Sequence, residues 1–137
     1  MLEQILFITG ASIFALLGLI HLFYTFFSHK FNAFDPAVTQ AMKNTSPVLT
    51  KETSMWAAWV GFNASHSLGA LLVAAFYIPM AASHMALIQQ SLWFSLLPSI
   101  TGVSYLILAK KYWFKIPFVG ISISTICFVL AFVLINF

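Results

Sequence analysis

The chain contains few charged side chains and no arginine. Only 7% of its 137 residues are charged, and the acids are limited to Glu3, Asp35 and Glu52. In contrast, 61% of the residues are hydrophobic and the mean hydropathy is +0.97. This composition leaves too little polar surface to cover a soluble globule, and it indicates a polytopic membrane protein. The net charge of +3 is explained by membrane orientation, so nucleic acid is not an expected partner.

Cysteine and acids within apolar segments are also scarce, which excludes several kinds of metal site and catalytic site. The single Cys127 excludes a disulfide framework or a metal site with several cysteines within one chain. No acid lies inside an apolar run, so hydrolysis through a metal lacks its usual carboxylates. Ser65 and Ser67 are adjacent to His66, but adjacent helical residues point about 100° apart and form no Ser-His pair. No catalytic residue is predicted, and binding is favoured over catalysis.

Four apolar runs have the length of membrane-spanning helices, which cross about 30 Å of hydrocarbon. They cover residues 4–27, 55–78, 84–108 and 116–136. The N-terminus lacks the basic flank of a cleavable signal peptide, so the first run is expected to be retained. The sequence therefore predicts an all-α membrane protein, a four-transmembrane-helix bundle that forms one domain over residues 1–137.

The only long connection, residues 28–54, carries its own helical signal. Asp35-Pro36 is typical of a cap and first position of a helix. Apolar residues recur there at spacings of three and four: Phe31, Phe34, Val38 and Met42. We predict a short interfacial helix lying on the membrane surface, with an irregular polar loop as the alternative.

All six lysines lie in two alternate loops. Lys30, Lys43 and Lys51 are in the first loop, and Lys110, Lys111 and Lys115 are in the third. With four spans these two loops share one side of the membrane, and the positive-inside rule makes that side the cytoplasm. Both termini are therefore expected to be periplasmic or exterior.

Small residues recur at helical spacing on every span and predict packing faces, because close approach of helices in lipid depends on small side chains. The clearest members are Gly10 and Gly18 on the first span, Gly61, Ser65 and Gly69 on the second, Ser95, Ser99 and Gly102 on the third, and Gly120 and Ser124 on the fourth.

A second face of the second span is too polar for lipid. Trp56, Trp59, Asn63 and His66 recur there at helical spacing. Since each residue rises about 1.5 Å along a helix, His21 and Asn63 lie nearly level and His66 about one turn deeper. We predict that His21 lies within hydrogen-bond or one-water reach of Asn63. Two further residues complete the predicted ligand site, which opens toward the cytoplasmic leaflet with Trp56 and Trp59 at its mouth: Thr25 and Ser65.

Several roles remain open for this cluster. Its side chains can simply satisfy one another between helices, or they can bind a small apolar or amphiphilic ligand such as a lipid or quinone. Haem binding by His21 and His66 is a lesser alternative, disfavoured by their difference in depth, and zinc lacks a third ligand. Any cofactor is left unassigned. The competing function is a structural or accessory subunit, and the expected partners are membrane lipids, a second copy or another membrane protein.

Three segments resemble a group of small bacterial four-span membrane proteins of unassigned function. They are the stretch from Trp56 to Gly69, which reads WAAWVGFNASHSLG, the segment Gly18 to Leu22, and the segment Lys111 to Pro117. The resemblance implies a bacterial inner-membrane protein of four helices. It implies no activity.

Overall fold

The computed structural model describes all residues, Met1–Phe137, and it is entirely helical apart from turns and short connections. Its helices are α1 (Leu2–Phe27), α2 (Pro36–Asn44), α3 (Met55–Ser83), α4 (Met85–Gln90), α5 (Leu92–Tyr112) and α6 (Lys115–Asn136). Four of them, α1, α3, α5 and α6, are long and apolar enough to cross a membrane. The predicted all-α bundle of four spans is confirmed.

The third span differs from its predicted bounds of 84–108. The apolar run divides at Ser91, which has an extended backbone (φ −121°, ψ 113°) and accepts a hydrogen bond from the Phe94 amide through its side chain. This is an N-cap, so a new helix starts at Leu92. Residues 85–90 form the separate helix α4, where Gln89 Nε2 donates to Glu3 Oε1 at 3.1 Å. The second span is longer than predicted and continues through Pro79 to Ser83.

The short helix predicted in the first loop is present as α2. Asp35 caps it as expected, since its carboxylate accepts from the Ala37 amide at 2.8 Å. The expected apolar face is divided: Phe34 and Val38 are exposed, whereas Phe31 and Met42 are half-buried. The exposed pair is suited to contact with lipid, and the position of α2 on the membrane surface stays a prediction.

Residue contacts group the chain into two compact units. Unit 1 comprises residues 1–17 and 70–137, and unit 2 comprises residues 18–69. The core of unit 1 is aromatic: the Phe7 ring stacks on Tyr77 at 6.0 Å between centroids, and the Phe128 ring lies 5.9 Å from Phe14 and 6.2 Å from Phe7. Segments of α1, α3 and α6 thus meet in one buried cluster. The expected single domain stays a prediction.

Two glycines of unit 1 allow close helix contacts. A Cβ on Gly10 would lie 2.7 Å from the Phe128 ring, and one on Gly102 would lie 2.9 Å from Thr125 Oγ1 and 3.2 Å from the Thr125 backbone. Ser124 adds a buried hydrogen bond by donating to the Gly10 carbonyl at 2.7 Å. Small residues on α1, α5 and α6 therefore form packing contacts, as predicted.

A proline inside α5 creates a polar contact between two helices of unit 1. Pro98 has no N–H, so the Phe94 carbonyl one turn earlier loses its normal helical donor. The Tyr77 hydroxyl on α3 donates to that carbonyl instead, at 3.0 Å. The hydrogen bond satisfies a backbone group that would otherwise be costly within the membrane.

Candidate functional site

The site lies in unit 2, between the C-terminal part of α1 and the N-terminal part of α3. His21 Nε2 and Asn63 Oδ1 are 3.0 Å apart, so the hydrogen bond predicted from their depths is confirmed. Asn63 is 7% exposed and His21 is half-buried. Each polar side chain thus provides a hydrogen-bond partner for the other, which lipid tails cannot do within the membrane.

The hydrogen bonds of Asn63 determine how His21 is protonated. Asn63 Nδ2 donates to the Trp59 carbonyl at 2.8 Å, which turns Oδ1 toward His21. An amide oxygen only accepts, so His21 Nε2 carries the proton and donates. In the neutral ring Nδ1 is then an acceptor, and no hydrogen bond within the chain uses it. His21 therefore presents one acceptor that the protein leaves available.

His66 lies beside His21 and follows Asn63 by nearly one helical turn. The two imidazole centroids are 5.3 Å apart and the ring planes are inclined at 63°, which is an edge-to-face contact. Residues three apart on a helix share a face, so Asn63 and His66 both reach the same side of α3. The histidine cluster, defined as His21, Asn63 and His66, is thus assembled as predicted in position.

An aromatic side chain from the loop completes the surroundings of His21. The Phe31 ring lies 4.5 Å from the His21 ring and 6.5 Å from the Trp59 ring, and Trp59 Nε1 donates to the Phe31 carbonyl at 3.1 Å. Sequence reasoning placed Phe31 on the face of α2 and missed this role. No periodic signal identifies it, because its backbone is irregular and precedes the helix.

Three other predicted site residues differ in their exposure and in the contacts that they make: Trp56, Trp59 and Thr25. Trp59 is 41% exposed, whereas Trp56 is half-buried with Lys43 Nζ 5.6 Å from its ring centroid. Such cation–π contacts attach the aromatic ring to a charge, here on α2. Thr25 is half-buried and donates to the His21 carbonyl at 2.8 Å, which satisfies its hydroxyl within α1.

The Ser65 hydroxyl, which was predicted to belong to the site, forms its hydrogen bond outside the histidine cluster. Its side chain is exposed and donates to the Phe62 carbonyl of its own helix at 2.9 Å. A residue two positions from Asn63 points about 200° away from it around a helix, which explains the separation.

Sequence reasoning missed Ser67, which is fully buried and donates to the Asn63 carbonyl at 3.0 Å. Its spacing of four from Asn63 is the signal that identifies it.

The donor set of the cluster is suited to hydrogen bonding. No three His, Cys, Asp or Glu side chains of the chain come together as a metal site. His21 Nε2 is bonded to Asn63, so ligation of haem iron through that atom requires this bond to break. What the cluster offers directly is an acceptor on His21 beside the half-buried rings of His66 and Phe31.

Comparison with known proteins gives no relative from which a function can be transferred. No family model, no curated protein and no solved structure matches the chain.

Proposed function

We propose that the histidine cluster binds a small apolar or amphiphilic molecule, of the class of lipids or quinones. The observation that carries this proposal is the half-buried His21, whose Nε2 is held by Asn63 while Nδ1 has no hydrogen bond in the chain. A polar atom within a spanning helix is costly without a partner, and a ligand hydroxyl supplies one.

The surroundings favour a ligand with an apolar body and few polar atoms. Phe31 and Trp59 provide ring surfaces on one side of His21, and aromatic rings bind apolar groups through large contact areas. The only ionisable side chains in the cluster are two imidazoles, so no fixed negative charge selects a cation. A quinol or a lipid hydroxyl, which donates to a neutral imidazole, matches this arrangement better than a free ion does.

The orientation proposed for the chain directs the ligand toward one leaflet. The six lysines lie in the loops after the first and third spans, and the positive-inside rule places those loops in the cytoplasm. A ligand would then enter from the cytoplasmic leaflet of a bacterial inner membrane, with both termini on the opposite side. The resemblance to small bacterial four-span proteins supports the localisation proposed here.

The test is a measurement of bound molecules. Protein purified in a mild detergent is extracted, and the lipids and quinones recovered are quantified by mass spectrometry per folded chain. We expect one enriched species, which His66→Ala loses. The matched control is His84→Ala, because His84 is an exposed histidine at the end of α3 and lies outside the cluster. Equal ligand content in the wild type and His66→Ala would refute the proposal.

A specific observation also favours the second candidate, an accessory subunit that contacts another membrane helix. Gly61 has no atom within 4 Å of the place a Cβ would occupy, and Ala57 and Ser65 on the same face are exposed. Small residues spaced by four are typical of helix contacts in membranes. Gly61→Leu should remove a stoichiometric protein partner after crosslinking in membranes. The same crosslinked species in the variant would exclude this surface.

A further inference from the structure

An open cavity of ≈ 260 Å³ lies where α5 is joined to α6, far along the chain from the histidine cluster. Its lining combines apolar surface with two positive charges: Ala109, Lys110, Trp113, Phe114, Lys115 and Phe118. All of these residues belong to unit 1. The cavity is therefore formed by unit 1 alone and shares no lining residue with the histidine cluster.

Two residues that line the cavity, Ala109 and Trp113, are fixed by contacts within unit 1. The Trp113 amide donates to the Ala109 carbonyl at 3.1 Å, and Ala109 is 1% exposed. The Trp113 ring makes an edge-to-face contact with Tyr105 at 6.1 Å between centroids. These contacts define a preformed apolar surface, which lowers the entropy lost when a ligand binds.

The lysines of the cavity have no acidic partner. The three acids of the chain are Glu3, Asp35 and Glu52, and its one ion pair joins the amino terminus to Glu3. Lys110 and Lys115 are both exposed at the cavity. Two ammonium groups at one cavity without a carboxylate favour a ligand with negative charge.

Exposed apolar side chains lie close in sequence to the two lysines, one on α5 and one on α6. Leu108 precedes Lys110 and is 42% exposed, and Ile116 follows Lys115 and is 73% exposed. Tyr112 and Trp113 beside the lysines are typical of the headgroup level of a bilayer. A small water-soluble anion would use only the charges, whereas an amphiphilic anion would use the apolar surface as well.

We propose that this cavity is a binding site for an anionic phospholipid. The phosphate lies between the ammonium groups of Lys110 and Lys115, and the glycerol and the start of the acyl chains contact Trp113, Phe114 and Phe118. Basic pockets between spanning helices on the cytoplasmic side are suited to such headgroups.

The experiment uses the full-length protein in a mild detergent, titrated with dioleoylphosphatidylglycerol or dioleoylphosphatidylcholine and observed by native mass spectrometry. We expect the wild type to retain one phosphatidylglycerol in preference to phosphatidylcholine. The double variant Lys110→Gln/Lys115→Gln should lose on the order of tenfold in affinity for phosphatidylglycerol, with little change for phosphatidylcholine. Both lysines are exposed, so the variant should fold normally, which a thermal unfolding curve verifies.

The matched control is Lys111→Gln. Lys111 directly follows Lys110 in the chain, but its Nζ is 5.2 Å from the Tyr112 ring centroid and it does not line the cavity. It should therefore retain phosphatidylglycerol. If the loss in binding free energy per lysine removed is the same in Lys111→Gln as in the double variant, net charge alone attracts the lipid and the site is rejected. Displacement of the lipid by inorganic phosphate at equal concentration would likewise reject a phospholipid as the specific occupant.

Discussion

His21 donates its Nε2 proton to Asn63 Oδ1 across 3.0 Å, and the Asn63 amide is held in the accepting orientation by its own donation to the Trp59 carbonyl. Each side chain thus satisfies the other between two spans of unit 2. The same bond leaves His21 Nδ1 without a hydrogen bond in the chain. One pair therefore joins two helices of unit 2, and its second imidazole nitrogen is the atom to which ligand binding is proposed.

The first prediction concerns the contribution of this hydrogen bond to stability. His21→Ala should lower the free energy of unfolding by about 1–3 kcal/mol, because the 7%-exposed Asn63 is left with an unpaired oxygen. Asn63→Ala should cost less in the His21→Ala background than alone, since the two share one bond. Thermal unfolding in detergent measures both. Strict additivity of the two substitutions would contradict the bond.

Glycine substitutions should differ sharply between the units. Gly10→Ala places a Cβ 2.7 Å from the fully buried Phe128 ring and should destabilise the protein by about 1–3 kcal/mol. Gly61→Ala meets nothing within 4 Å and should be neutral or stabilising, by up to about 1 kcal/mol, because alanine favours a helix. Unfolding midpoints of the purified variants test the pair. A larger loss for Gly61→Ala would reverse the assignment of packing faces.

Two buried serines should respond oppositely to alanine. Ser124 donates to the Gly10 carbonyl at 2.7 Å, so Ser124→Ala should cost about 0.5–1.5 kcal/mol. Ser99 Oγ is buried and has no hydrogen-bond partner, so Ser99→Ala should be neutral or stabilising. The measurement is the difference between the two unfolding free energies, and a stabilising Ser124→Ala would argue against the contact with Gly10.

The hydrogen bond that compensates for Pro98 allows a cycle of substitutions. Tyr77→Phe should destabilise unit 1 by about 1–2 kcal/mol, because it leaves the Phe94 carbonyl without a donor. In a Pro98→Ala background the residue 98 amide can donate to that carbonyl, and Tyr77→Phe should then cost less. Unfolding curves of the four proteins give the coupling. The same cost in both backgrounds would show that the Tyr77 hydroxyl does not replace the missing amide.

The proposed orientation has a direct test. Alkaline phosphatase fused after Phe137 should be active, and the same enzyme inserted within residues 36–50 should be inactive, because the lysine-rich loop remains in the cytoplasm. A fluorescent protein that folds only in the cytoplasm should give the complementary pattern. Activity in the loop together with inactivity at Phe137 would overturn the orientation.

The sequence by itself determined the class, the number of spans, the cap of α2 and the pairing of His21 with Asn63. These features follow from local properties: apolar length, an Asp35-Pro36 start and the regular rise of a helix, which relates position in the chain to depth. The meeting of His21 and Asn63 needed only the further condition that polar side chains avoid lipid.

Only the tertiary structure decided which faces are covered. The sequence shows the same pattern of small residues around Gly10 and around Gly61. Phe128 packs against Gly10, whereas nothing lies within 4 Å of the place that a Cβ on Gly61 would occupy. The break at Ser91 and the contact of Phe31 with His21 likewise depend on local geometry that an apolar run does not encode. The physical reason is that hydrophobicity determines entry into the membrane, whereas helix rotation and partner choice depend on the specific side chains that meet.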